Sequence, residues 1–306
     1  MKLIKPNFWK NINLIVFLIW PLTLFTRLAL FIKKSQKKYK PYITTICVGN
    51  IYLGGTGKTQ LVIKLNKILK NKFKIFIIKK KYNNQIDEQK LLAKETKLIL
   101  PNKRIDGLKQ IGNLKKNIAI FDDGLQDKSI DYTLSIVCFN SFSGYGNKNI
   151  LPAGPLRENL SKLKNYDAIF INGKKNNNLE KNLKKYNNKI KIFTGKYVLK
   201  NKKNLNFRSK YLAFCGIGTP ENFFDLLREN KIKVKKKMIF PDHFNYISSD
   251  IERIISIAKK NNLKIITTEK DFMKIKKFKK HDIKFTNIDL KIDKFSFFKK
   301  FLFDNI

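Results

Sequence analysis

Cysteine and histidine are scarce: three cysteines and two histidines occur in 306 residues. Cys47, Cys138 and Cys215 lie far apart, each inside an apolar run. That pattern excludes a disulfide framework and fits small core residues in a reducing compartment. No Cys-His spacing supports a structural zinc site. Acidic residues are also few, 23 Asp+Glu against 65 Lys+Arg, for a formal charge of +42. A field of that sign favours polyanions such as nucleic acid, phospholipid headgroups or a phosphorylated substrate. The lysines come with abundant Asn, Ile and Phe along the whole chain, however, as a codon bias towards A and T would leave them without selection for any ligand. Runs such as Lys235-Lys236-Lys237 read as solvated faces for the same reason.

A long apolar run is missing too. The uncharged stretch Asn11 to Thr26 has sixteen residues and is interrupted by Pro21, short of the roughly 20 needed to span a bilayer. No small-x-small cleavage site follows it, which argues against a signal peptide. Basic residues flank it (Lys2, Lys5, Lys10; Arg27, Lys33, Lys34), and Trp9 and Trp20 are the only tryptophans. These features predict one interfacial helix within residues 1–34, with both tryptophans at headgroup depth on an anionic membrane surface. A buried core helix is the rival reading.

What is present is a phosphate loop. Gly54-Gly55-Thr56-Gly57-Lys58-Thr59 follows the β-branched run Ile43 to Val48 and precedes a helix opening near Gln60. Backbone N–H groups of such a loop, with the positive end of the next helix, point at the phosphates of a nucleotide such as ATP. Lys58 reaches the same oxygens and the Thr59 hydroxyl faces Mg²⁺. The motif is a variant of G-x-x-x-x-G-K-[ST], with Tyr52 at the first glycine position. Apolar strand candidates then alternate with amphipathic stretches: Phe73 to Ile78, a helix near Glu88 to Thr96, Lys97 to Leu100, Ile118 to Phe121, Leu134 to Phe139 and Ala168 to Ile171. Such alternation predicts a parallel α/β sheet with crossover helices. The Asn- and Lys-rich stretches Lys174 to Asn188 and Lys200 to Arg208 read as linkers. A second, smaller α/β unit begins at Tyr211, with a helix at Glu221 to Glu229 and a strand at Lys264 to Thr268. The expected organisation is an anchor over 1–34, a P-loop domain over 35–195 and the smaller domain over 196–306.

Asp122 and Asp123 stand where a parallel strand ends, the place for Mg²⁺ ligands. Successive strand residues face opposite sides, so one aspartate faces Thr59 while the other bends to the metal or positions something nearby.

Six segments occur in the order seen in the tetraacyldisaccharide 4′-kinase family of Gram-negative bacteria. They are Val48 to Thr59, Asp122-Asp123-Gly124-Leu125-Gln126, Leu151-Pro152-Ala153-Gly154-Pro155-Leu156-Arg157-Glu158, Gly216-Ile217-Gly218-Thr219-Pro220-Glu221, Phe240-Pro241-Asp242-His243 and Thr267-Thr268-Glu269-Lys270-Asp271. The chain resembles that family over about residues 7 to 275. The resemblance implies a P-loop kinase attached to the cytoplasmic face of the bacterial inner membrane. It implies transfer of the γ-phosphate of ATP, with Mg²⁺, to the 4′-hydroxyl of a lipid A disaccharide 1-phosphate precursor. It also implies Asp87 and His243 as catalytic partners, here expected to lie in different domains, with Lys58 acting on the phosphates. Glu88, Arg157 and Glu158 become candidates for a substrate or nucleotide face. Lys79-Lys80-Lys81-Tyr82 stands where the family has Ser-Arg-Gly-Tyr, the loop before Asp87 is short, and Asp127 replaces a histidine.

Two other functions fit parts of the chain. A P-loop ATPase or switch protein with a nucleic-acid-binding surface suits the charge. Its aromatics, though, are phenylalanines in apolar runs and no recognition helix stands out, so no nucleic acid is expected. A degenerate family member without turnover suits the altered Lys79 segment. No obligate protein partner is implied.

Overall fold

The structure is a computed structural model that describes residues 6–32, 38–82, 85–112, 114, 116–276, 278 and 282–306. Lys2, Lys5, Lys33, Lys34 and His281 lie outside these residues. In chain order the elements are α1 (Leu14–Ile19), α2 (Thr23–Ile32), β1 (Thr44–Gly49), α3 (Lys58–Leu69), β2 (Lys74–Lys79), α4 (Ile86–Glu95), β3 (Leu98–Ile99), α5 (Arg104–Lys109), β4 (Asn117–Asp122), β5 (Leu134–Asn140), β6 (Ala168–Asn172), α6 (Asn177–Lys184), β7 (Lys191–Leu199), β8 (Lys210–Cys215), α7 (Pro220–Glu229), β9 (Lys233–Ile239), α8 (Ser248–Lys260), β10 (Lys264–Thr268), α9 (Glu269–Ile275), β11 (Ile283–Thr286), β12 (Ile288–Ile292) and α10 (Phe295–Asp304).

They form two compact units that are discontinuous in sequence. One holds Lys5–Lys81, Leu92–Lys196 and Ile292–Ile306, the other Tyr82–Leu91 and Tyr197–Lys291. This differs from contiguous segments 35–195 and 196–306, for reasons visible in the contacts. Asp87 and Glu88 supply the counter-charges of Lys270 and Lys274, so Tyr82–Leu91 belongs to the smaller unit. The phenylalanines of α10 pack on Phe193, so the C-terminal helix belongs to the larger one.

The larger unit carries an eight-stranded sheet in the order β12-β7-β6-β5-β1-β4-β2-β3. Its pairings from β3 through β7 are parallel. Central strands such as β4 (Asn-Ile-Ala-Ile-Phe-Asp) are buried along their whole length, as expected when helices cover both faces of a parallel sheet. Helix α3 packs through Leu61, Leu65 and Leu69, spaced four apart on one face. The smaller unit carries a four-stranded sheet, β11-β10-β8-β9, also parallel.

Two expectations are corrected here. Lys174 to Asn188 is not a linker: α6 lies within it and buries Leu179 and Leu183, and β7 follows. In Lys200 to Arg208, Leu205 is buried, and the Asn201 side chain donates to the Phe285 carbonyl at 2.8 Å and accepts from the Asn287 amide at 2.9 Å.

The N-terminal segment is two short helices broken by a 3₁₀ turn, Trp20–Leu22, because Pro21 cannot extend α1. Trp9 is buried, and its Nε1–H donates to the Pro152 carbonyl at 3.0 Å. It therefore cannot mark headgroup depth. The Thr26 hydroxyl donates to the Leu151 carbonyl at 2.8 Å, so the pair is docked on the larger unit. Leu14, Phe17, Leu18, Trp20, Phe25 and Leu28 remain exposed. Among the described residues, no helix is long and apolar enough to cross a membrane.

Candidate functional site

Two clusters of charged side chains stand out, one in each unit. In the larger unit, β1 ends at Gly49 and the chain turns through residues 50–57 into α3. Gly54 and Gly57 hold φ of 119° and 90°, a region that disfavours any residue with a Cβ. The Asn50 side-chain amide donates to the carbonyls of Tyr52 at 2.6 Å and Gly54 at 3.1 Å, fixing the loop from within. Tyr52, at the missing glycine position, is buried and bridged to Leu156. The Leu53 amide donates to the Pro155 carbonyl at 2.8 Å and the Arg157 amide to the Ile51 carbonyl at 2.7 Å. The segment ending in Arg157 is thereby strapped along the phosphate loop.

Asp122 and Asp123 part company as strand alternation requires. Asp122 is buried beside Thr59, whose hydroxyl lies 3.4 Å from its Oδ2. The same oxygen accepts from Lys79 Nζ at 2.8 Å. Asp123, at φ 61°, takes two hydrogen bonds from Arg157 Nη1, at 3.1 and 3.2 Å, and lies 3.6 Å from Lys58 Nζ. Burial raises the cost of its charge, yet Lys58, Arg157 and Lys79 hold its carboxyl down at about 2. The structure thus brings Asp122 to Thr59 and gives Asp123 to the cations. Asp127, in place of the family histidine, pairs with Arg104 Nη1 at 3.3 Å, and Arg104 Nη2 donates to the Asp123 carbonyl at 2.5 Å. Glu158 is buried, accepts from the Tyr166 hydroxyl at 3.1 Å, and lies 3.9 Å from Lys128.

These residues suit a hydrated divalent cation. Asp122 Oδ1 and the Thr56 hydroxyl are buried with no hydrogen-bond partner among the described residues. A buried oxygen without a donor is a cost unless something arrives to use it. Mg²⁺ keeps several waters and binds through one or two carboxylates together with substrate phosphates, which matches one unpartnered oxygen on a carboxylate whose other oxygen lies 3.4 Å from the Thr59 hydroxyl.

In the smaller unit, the first turn of α4 presents Asp87 and Glu88 to the loop before α8 and to α9. Asp87 Oδ1 lies 3.0 Å from His243 Nδ1, and Lys274 and Lys270 stand 3.4 and 3.9 Å from its Oδ2. Glu88 pairs with Lys270 at 2.8 Å. Burial opposes ionisation of Asp87, but the His243 hydrogen bond and the two lysines hold its carboxyl well below the usual range. Glu88 and Asp87 likewise raise Lys270 against the effect of burial. An ionised Asp87 accepts from Nδ1–H, and Nε2 lies 3.8 Å from Asp242 Oδ1 and 4.0 Å from Glu88 Oε1. Asp87 and His243 belong to one unit, contrary to expectation, and meet without any movement of domains. His243 itself holds φ 55°, in the left-handed region. Asp271, on α9, accepts from the Gly216 amide at 3.0 Å, the Thr268 hydroxyl at 2.7 Å and the Tyr246 hydroxyl at 3.2 Å.

Residue type does not point to Arg104 or Lys274, and the sequence marks Lys79 only within the Lys79-Lys80-Lys81 departure from the family pattern. Lys274 carried a signal, because it stands four residues after Lys270 on the same helix face.

A sequence model of the family described as Tetraacyldisaccharide-1-P 4′-kinase matches residues 12–306. The chain is similar to a tetraacyldisaccharide 4′-kinase of Pelagibacter ubique, 43% identical over 297 residues that cover 95% of each chain. It is also similar to one from Rickettsia typhi, 35% identical over 295 residues that cover 90% of each. In fold it is similar to LpxK from Aquifex aeolicus, crystallised in complex with ATP, with a TM-score of 0.70 and 22% identity over 95% of this chain and 99% of that one.

Proposed function

The chain belongs to the tetraacyldisaccharide-1-P 4′-kinase family, and from that premise we propose that it transfers the γ-phosphoryl group of ATP to the 4′-hydroxyl of a tetraacylated disaccharide 1-phosphate. The observation that carries this reading is the match along residues 12–306 to a family of that activity, in a chain whose phosphate loop places Lys58 beside Asp123.

Phosphoryl transfer demands positioning and charge stabilisation more than covalent chemistry. Amides of Gly54 to Lys58 and the N-terminus of α3 would cradle the phosphates. Lys58 and Arg157, parked on Asp123, would turn to the transferring group, with Asp123 keeping both in place. Thr59 and Asp122 would hold Mg²⁺, which screens charge on the phosphate oxygens. Asp123 serves the metal site only through Lys58 and Arg157.

The proton of the attacking sugar hydroxyl falls to His243 Nε2. Asp87, held ionised beside two lysines, fixes the tautomer and direction of the ring. Glu88 shares Lys270 with Asp87 and belongs to the same support. Glu158 braces Tyr166 in the interior, so its part in substrate binding is indirect.

The exposed face of α1 and α2 is the lipid-facing surface, which makes the protein peripheral on the cytoplasmic side of the inner membrane and brings it to an acceptor that lives in the bilayer. Incubation with [γ-³²P]ATP, Mg²⁺ and disaccharide 1-phosphate in mixed micelles tests the whole reading: a labelled bisphosphorylated lipid is expected. Its absence, with ATP bound, would mean a degenerate member.

A further inference from the structure

Lys79 is the least exposed lysine that the site contains, with 1% of its surface accessible, and it sits on a carboxylate that is fully buried. The pair arises from sheet register. Strands β2 and β4 run parallel with Lys79 directly opposite Asp122, so both side chains leave the same face at the same level. The Nζ to Oδ2 distance is 2.8 Å, while Oδ1 of the same carboxylate has no hydrogen-bond partner among the described residues. A buried aspartate without a counter-charge is strongly destabilising, and so is a buried lysine. Each supplies what the other lacks before any nucleotide arrives.

The surrounding charge matters as much. Lys58, Lys79, Arg104 and Arg157 face Asp122, Asp123 and Asp127. Four cations against three carboxylates leave the loop positive, and a free dication approaching Asp122 meets repulsion that a polyphosphate would reverse.

We propose that Lys79 is a resident counter-ion of Asp122, so that the nucleotide-free protein has little use for a divalent cation and takes one up only together with nucleotide. This rests on the assignment of Asp122 as the metal-facing carboxylate and deepens it. Lys79 acts through Asp122 and is a positioning residue. It stands where the family pattern has serine, and the lysine turns a site that awaits a metal into one that is already neutralised.

The test is Mn²⁺ titration of the nucleotide-free protein, followed by electron paramagnetic resonance of the free ion, together with thermal unfolding in EDTA and in Mn²⁺. The wild-type chain is expected to bind Mn²⁺ weakly and to melt at the same temperature in both. Lys79→Met is expected to bind Mn²⁺ at least about tenfold more tightly, since a unit charge a few ångströms from the ion is removed. Its midpoint should fall in EDTA and recover with Mn²⁺, whereas Lys79→Arg should stay weak. With ADP present, wild type and Lys79→Met should bind Mn²⁺ within a few-fold of each other. Tight Mn²⁺ binding by the wild-type chain alone, or no gain in Lys79→Met, overturns the proposal. If Lys79→Met does not fold, the wild-type titration and melting curves decide the matter, and the neutral pair Lys79→Met with Asp122→Asn should fold and show no Mn²⁺ gain. None of these measurements uses phosphoryl transfer. A protein without lipid kinase activity can therefore pass them, and an active kinase can fail them.

Discussion

Lys58 lies 3.6 Å from Asp123, and its side chain is only 14% exposed. Its removal takes one charge-stabilising donor from the reaction without opening a cavity in the apolar core. Lys58→Ala should lower kcat by at least about a hundredfold, with an unchanged circular dichroism spectrum; near-normal turnover would remove the loop from the mechanism. Asp123 gives a prediction of a different kind, in pH. Its carboxyl is held at about 2 in the folded chain against about 3.9 when unfolded. A depressed pKa contributes stability that is fully present above the unfolded value and disappears as pH falls through the folded one. Asp123→Asn should therefore be less stable than wild type near neutrality. The gap should narrow from about pH 4 towards pH 2, as urea unfolding at stepped pH would record. A gap independent of pH across that window would show that the ion pairs with Lys58 and Arg157 contribute nothing net.

At the scale of elements, α4 delivers Asp87 to His243 while α9 delivers the two lysines that keep it ionised. Residues acting as one unit lose activity less than multiplicatively. Asp87→Ala and His243→Ala should each lower kcat more than they raise KM for ATP, and the double variant should lose less than the product of the two; strictly multiplicative losses would separate them. The helix pair α1 and α2 permits a cleaner membrane test than truncation, because Trp9 and Thr26 tie it to Pro152 and Leu151. Replacing exposed Phe17, Leu18 and Phe25 by serine should leave those ties intact, preserve ATP binding, and reduce sedimentation with anionic vesicles together with activity on vesicle-borne lipid. Equal activity would make this face irrelevant to the membrane. The parallel sheet and phosphate loop were legible because buried parallel strands are apolar throughout and glycines are fixed by backbone need. Other elements were hidden for physical reasons. Helix α6 buries two leucines in a field of Asn and Lys, too narrow a stripe to register, and β9 is an edge strand with exposed Lys235, Lys236 and Lys237 that reads as solvated sequence. The Lys79–Asp122 pair joins residues forty-three apart through strand register, which no local pattern encodes. The family resemblance gave Asp87 and His243 their roles and held Lys270 in its last segment without a role, but it did not reach Lys274, the other lysine beside Asp87.

For the whole molecule, the formal charge of +42 is spread over both units and would add an electrostatic pull to the proposed apolar contact of α1 and α2. Screening shrinks to about 3 Å at 1 M salt, while hydrophobic burial persists. High salt should thus release only part of the protein from anionic vesicles and detergent should release all of it; complete release by salt alone would make charge the sole attachment. The same charge keeps molecules apart from one another. Lysines along β9 discourage the pairing of exposed sheet edges between copies.

The discontinuity of the smaller unit has a consequence on the ribosome. Asp87 is synthesised 156 residues before His243, and at roughly 5–20 residues per second the interval is about 8–30 s. Through that time the Tyr82–Leu91 excursion has left one nascent unit without its place in the next, its carboxylates solvated and its lysine partners not yet made. The larger unit is no better off, since Ile292–Ile306 follows the whole of the smaller one. Neither half can finish early, and a gene split near residue 196 would yield two fragments that each carry a piece of the other.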